Sequence, residues 1–154
     1  MSPPIRRLVL PLIVNLVSHP EDTSRSAASG CLGAFCKWLP DDDLEKVIDD
    51  VLLNSAGNDS DWQVKHGRSA ALYVALKDAP ERICKEDNKS KMVSTIKALV
   101  SSDVVALAQN GVRATGYFFS YLMKIHEELP VELISPLCRY IIFSIMFMGC
   151  CSYH

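Results

Sequence analysis

The sequence predicts an all-α chain folded as a short solenoid of helix pairs. Apolar residues recur at offsets of three and four along most of its length, as in Ile5, Leu8, Val9, Leu12, Ile13 and Leu16, the period of a helix with one buried stripe. No stretch alternates apolar and polar residues for long enough to make a strand. Asp22, Asp61 and Asp103 open three similar segments, about 40 residues apart, a period at which each unit is one helix pair packed on its neighbours.

The elements follow in order. Residues 5–16 form the first helix, with Pro11 inside it to bend it. A second helix starts near Asp22, with Ala28, Cys31, Leu32, Phe35 and Leu39 on its apolar face, and Pro40 closes it. Asp41, Asp42 and Asp43 favour a third helix start through their charge at its positive end; Leu44, Val47, Ile48, Val51 and Leu52 are its stripe, and Gly57–Ser60 a loop. The fourth helix runs from Asp61, a residue type that caps through its side-chain oxygen, to Ala79-Pro80, with Val64, Gly67, Ala71, Leu72 and Ala75 in phase. Its face is mostly Gly and Ala, so a neighbouring helix can approach closely. Residues 81–90 read as a polar connection. Met92, Val93, Ile96, Leu99 and Val100 then make a fifth helix. A sixth starts at Ser102-Asp103 with Val104, Leu107, Ala108, Gly111, Thr115, Phe118, Phe119 and Leu122 inward. The seventh follows Pro130 with Leu133, Ile134, Leu137, Ile141, Ser144, Ile145 and Met148 in phase. This is a HEAT-type α-solenoid of about three helix pairs plus one unpaired C-terminal helix; the competing layout is a closed bundle. Gly67 and Gly111 weaken their helices by about 1 kcal/mol each against Ala, so each is expected where another helix crosses closely.

At 154 residues the chain is one domain, and 49% apolar with 22% charged residues is a globular composition rather than a disordered one. A net charge of −2 argues against gripping nucleic acid by bulk electrostatics. The six cysteines lack metal-ligand spacing and no secretory signal precedes them, so reduced thiols in a cytoplasmic protein are expected, with no metal and no cofactor.

Four stretches carry a resemblance: Ser26-Ala27-Ala28-Ser29-Gly30-Cys31-Leu32-Gly33, Asp61-Trp62-Gln63-Val64-Lys65-His66-Gly67-Arg68-Ser69, Ala79-Pro80-Glu81-Arg82-Ile83-Cys84 and Asn110-Gly111-Val112-Arg113-Ala114-Thr115-Gly116-Tyr117. In collinear order over residues 5–139 they resemble the C-terminal HEAT region of the general-control activator family. Members of that family sense stalled ribosomes and activate the kinase of translation initiation factor 2 alpha. The resemblance implies a HEAT array over residues 1–139, no catalytic activity, and binding to the RWD domain of the kinase. Ribosome binding is implied only in the context of the longer family protein. Residues 140–154 depart from the family's repeats as a divergent apolar tail, and the short length reads as a truncated or variant product. A HEAT scaffold without kinase binding, or a variant competing with the full-length activator, are the alternative readings.

Lys65, His66 and Arg68 cluster at one helix start, and Arg113 lies one repeat along. No nucleophile–base pair or glycine-rich phosphate loop accompanies them, so they read as a partner-binding surface rather than a catalytic centre. Arg68 shares a face with Val64, Ala71 and Leu72, which leaves open pairing with a carboxylate of an adjacent repeat. Tyr140–Cys151 is too short for a bilayer, which takes about 20 residues, and Cys151-Ser152-Tyr153-His154 lacks the aliphatic residues of a prenylation box. No membrane contact is expected. Self-association through the apolar tail is.

Overall fold

The computed structural model describes residues 3–56 and 61–150. They form α1 (Pro3–Leu16), α2 (Asp22–Phe35), α3 (Asp41–Val47) continued by a π-helical turn (Ile48–Leu52), α4 (Trp62–Asp78), α5 (Pro80–Ile83), α6 (Glu86–Val100), α7 (Val105–Lys124), a 3-10 turn (Val131–Leu133) and α8 (Ile134–Cys150). No strand occurs among the described residues. The loop expected at 57–60 and the terminal tetrapeptide 151–154 lie outside them.

The all-α solenoid is what the chain adopts. Its second helices pack in sequence, α2 on α4 and α4 on α7, while α1 packs on α2, α6 on α7 and α8 on α6. One apolar core runs through the stack from Ile13 and Val17 to Leu133. Small residues set the spacing of the second helices. A Cβ at Gly67 would overlap the Val17 carbonyl oxygen at the end of α1, and one at Gly111 would lie 2.6 Å from the Val100 nitrogen at the end of α6. Gly33 admits Val74 of α4 in the same way, at 2.5 Å. Both glycines singled out by their helix cost therefore stand at close crossings.

Polar bonds between units repeat with the same period. Arg82 of α5 donates to the carbonyls of Cys36 (2.8 Å), Lys37 (2.9 Å) and Leu39 (2.6 Å) and pairs with Asp41. It thereby satisfies the carbonyls that the end of α2 leaves without helical partners. Lys85 pairs with Glu45, Lys91 with Asp49, and Thr95 Oγ1 donates to the Leu53 carbonyl.

Several expectations need correction. In α1 the stripe of Ile5, Leu8, Leu12 and Leu16 is exposed, and the buried side is Ile13 with Val17, flanked by Val9, Leu10 and Val14. The helix is apolar over more than one face, and α2 covers only one of them. In α2, Cys31 is exposed and Cys36 buried, because the close approach of α4 turns Arg25, Ala28, Ser29, Leu32 and Gly33 inward. Burial pushes the Cys36 and Cys84 thiols up to about 12, the behaviour of core residues. Asp61 makes no side-chain cap bond. Residues 81–90 are mostly helical, lying in α5 and the start of α6. Val104 stands outside α7 and is exposed, its N–H bonded to Ser102 Oγ.

Candidate partner interface

The candidate residues lie on two adjacent second helices, α4 and α7. Lys65, His66 and Arg68 are half-buried in the first turns of α4, and Arg113 is exposed on α7 with its guanidinium 5.4 Å from the Tyr73 ring centroid of α4. A cation over a ring face at this range is attractive, so Arg113 also ties α7 to α4. Arg113 thus stands on the His66 and Tyr73 side of α4, close enough to His66 to lower its pKa, whereas Arg68, two residues on from His66, points about 160° away around the helix.

His66 has a structural tie of its own. Arg25 of α2, 2% exposed, directs its Nε–H to His66 Nδ1 at 3.3 Å and its Nη1 to the carbonyls of His19 (2.9 Å) and Pro20 (3.0 Å). Its Nη2 pairs with Asp22 at 2.6 Å, and the guanidinium lies 5.8 Å from the Trp62 ring centroid. A buried charge held this way is compensated on every side. Burial first, then the Arg25 guanidinium, push the His66 pKa below the ordinary histidine value; Arg113 adds to the lowering and Asp22 opposes it. His66 is therefore a neutral acceptor at pH 7, with its proton on Nε2 when Nδ1 receives the Arg25 bond. Its own carbonyl accepts Ser69 Oγ (3.0 Å) and Asn110 Nδ2 (3.3 Å), and Asn110 also donates to Ser69 Oγ. A polar chain Arg25–His66–Asn110 thus links the three second helices.

Lys65 and Arg68 differ from every other cation of comparable burial. Arg6, Arg25, Arg82, Lys85 and Lys89 are buried or half-buried, and each has a carboxylate: Asp43, Asp22, Asp41, Glu45, and Glu86 with Glu127. The Arg6 pair is close at 2.8 Å but off-line for a hydrogen bond. Among the described residues, Lys65 and Arg68 have no carboxylate within 4.0 Å. The pairing of Arg68 with a carboxylate of an adjacent repeat, one of two roles the sequence left open, does not occur among the described residues.

Sequence reasoning left out Arg25, Tyr73 and Asn110, which surround the candidate residues. The repeat period could have found two of them. Arg25, His66 and Asn110 stand one repeat apart and bond in that order. No group of three or more His, Cys, Asp or Glu side chains able to hold a metal occurs among the described residues. Nor is any described helix long and apolar enough to cross a membrane.

Comparison with known proteins agrees with this architecture. Residues 1–143 match the family profile described as stalled ribosome sensor GCN1-like, HEAT repeats. The chain is 35% identical over 136 residues to the human protein called stalled ribosome sensor GCN1, covering 85% of this chain. It is 33% identical over 136 residues to the mouse protein of the same name, covering 88% of this chain, and 23% identical over 116 residues to Protein ILITYHIA of Arabidopsis thaliana, covering 75%. The matched segment spans only 5% of the human and mouse relatives and 4% of the plant one. No solved structure matches. On the profile match over most of its length and these identities, the chain belongs to the stalled ribosome sensor GCN1-like family of HEAT-repeat proteins.

Proposed function

We propose that this chain is a non-catalytic, cytoplasmic interaction module of translational control whose second-helix wall binds the RWD domain of the amino-acid-starvation kinase. Family membership supports the setting in translational control, since the human and mouse relatives are named as stalled ribosome sensors. The observation that supports the surface is the pair Lys65 and Arg68. Both are half-buried cations without a carboxylate among the described residues, in an array where five others of comparable burial are paired. Such groups are already partly desolvated, so an acidic partner gains charge complementarity while few further waters are displaced. RWD domains are commonly acidic, which suits this surface. Arg113 extends the positive surface along α7, and ribosome contact belongs to the longer family protein.

The test is capture of the isolated RWD domain by the chain and by single variants. Arg68→Ala is expected to abolish detectable binding with helicity intact, since losing a desolvated, carboxylate-bonded Arg costs about 2–5 kcal/mol, about 30-fold or more in affinity. Lys37→Ala, whose ammonium lies over the exposed Trp38 ring, is expected to change little. Normal binding by Arg68→Ala would move the contact surface elsewhere.

A further inference from the structure

The overall charge of −2 averages two unlike faces. Along the second helices, residues 26–37, 62–77 and 105–124 contain Lys37, Lys65, Arg68, Lys77, Arg113 and Lys124 but no Asp or Glu. All 18 acidic residues of the chain fall elsewhere. The described ones stand in α3 and its π-helical turn, in α5 and α6, or between α-helices, with Asp22 and Asp78 at the very ends of α2 and α4. A lysine at the end of α4 or α7 also suits the negative end of that helix. The dipole does not account for a face bare of carboxylates along its whole length.

On that face cations are interleaved with aromatic rings. Trp62, His66, Tyr73 and Lys77 form one stripe of α4, and Arg113, Tyr117 and Lys124 one stripe of α7, each within about 60° of arc at about 100° per residue. His66 and Tyr73 are half-buried and the other five exposed. α4 and α7 run parallel, since His66 meets Asn110 and Tyr73 meets Arg113 in rising order, so the two stripes border one seam. Both walls of the seam belong to helices that pack on each other. Lys77, Arg113 and Lys124 have no carboxylate within 4.0 Å among the described residues. Ser120, on the α7 stripe, donates its hydroxyl proton to the Gly116 carbonyl at 2.8 Å, which leaves its exposed oxygen as an acceptor.

We propose that the α4–α7 seam binds single-stranded RNA, with Lys77, Arg113 and Lys124 toward its phosphates and bases stacked on Tyr117 and Trp62. An acidic protein surface would call for the cations alone. Interleaved rings suit nucleobases, because every base has a π-face. The planar guanidinium of Arg113, held over Tyr73, offers one more stacking plane. The Ser120 oxygen accepts from a ribose 2′-hydroxyl, the group that tells RNA from DNA. Arg68 points away from this seam, so the proposal is independent of kinase binding.

Fluorescence anisotropy of a labelled oligouridylate of about 12 nucleotides, titrated with the full chain at several salt concentrations, tests it. Three phosphate contacts predict a slope of log affinity against log salt of about −2. Lys77→Ala/Lys124→Ala, both at exposed positions, should weaken binding and bring the slope to about −0.7. Tyr117→Ala should weaken binding about fivefold or more and leave the slope unchanged. Arg68→Ala should bind as the native chain does, and oligodeoxyuridylate should bind less tightly than the ribose form. No binding by the native chain at low salt overturns the proposal, as does native affinity in the double lysine variant. Native affinity of Tyr117→Ala, or displacement of the RNA by oligoglutamate of equal charge as effectively as by unlabelled RNA, would make the seam a docking face for acidic protein instead. Equal affinity for the deoxy form overturns the choice of RNA, and loss of binding in Arg68→Ala would put the strand on the other side of α4.

Discussion

α4 and α1 are both apolar helices of the same stack, yet they are held differently. α4 lies between α2 and α7, and Gly67, Ser69, Ala70, Ala71, Leu72, Ala75 and Leu76 are all buried. Backbone crowds it at Gly67, Arg25 reaches it from α2, and Asn110 reaches it from α7. α1 is richer in large aliphatic residues but is packed on one side, and four of them face solvent. The difference shows that position in the array, more than apolar content, decides how firmly a helix is held. α4 is tied by shape and by polar bonds on both flanks; α1, packed mainly on α2 and paired to α3 through Arg6 and Asp43, keeps an exposed apolar side.

Breaking the α4 clamp should have the largest effect. Gly67→Leu places side-chain atoms where the Val17 carbonyl stands, so it is expected to cost more than about 3 kcal/mol, the upper part of the overpacking range. Urea denaturation checks this, and an unchanged midpoint would mean that α4 and the end of α1 separate readily. Gly111→Leu, against the end of α6, should fall in the same range.

The polar tie comes next. Arg25→Ala leaves the His19 and Pro20 carbonyls and His66 Nδ1 without their donor; since His19 and His66 are half-buried and Pro20 exposed, the lost bonds are expected to cost no more than the about 1–3 kcal/mol of a fully buried unsatisfied acceptor. The same tie has a pH signature. Because the folded His66 pKa is lowered, the unfolded chain binds more protons between that value and the ordinary value of about 6.5. The contribution of His66 is thus full above pH about 6.5, falls as pH drops towards the folded value, and is constant below it. Urea midpoints of the native chain and His66→Asn across this window should converge as the pH falls. Parallel curves would place the pH sensitivity on another group.

The smallest effect is expected at the loose helix. Leu12→Ser on the exposed stripe of α1 should change monomer stability by less than about 0.5 kcal/mol, whereas Ile13→Ala, one residue along and buried, should cost about 2–5 kcal/mol. Equal effects at the two positions would contradict the one-sided packing of α1.

This contrast also separates what the chain's pattern could tell from what it could not. The period of apolar residues located the helices, and the aspartates one repeat apart gave the pairing into units. The close crossings at Gly67 and Gly111 followed from the cost of glycine within a helix. The orientation of α1 did not follow, because Ile5, Leu8, Leu12 and Leu16 form as good a stripe as the side that is buried, and only the position of α2 decides between them. Cys31 was set inward and is exposed for a related reason: the small residues facing α4 set the rotation of α2. Within the candidate site, the cluster of Lys65, His66 and Arg68 was plain in the sequence. The tie of His66 to Arg25, and the absence of an ion pair for Lys65 and Arg68 among the described residues, depend on contacts between units that no local pattern encodes.

The central claim, that the α4 wall rather than either end of the array receives the kinase's RWD domain, is tested most directly by amide hydrogen exchange. Exchange would be followed in the full chain with and without a saturating amount of that domain, at a chain concentration where the chain alone is monomeric. The expected result is added protection in the first turns of α4, around Lys65 and Arg68, and in the middle of α7 around Arg113, with α1 and α8 unchanged. Protection confined to α1 or α8, or none at all under saturating conditions, would contradict it.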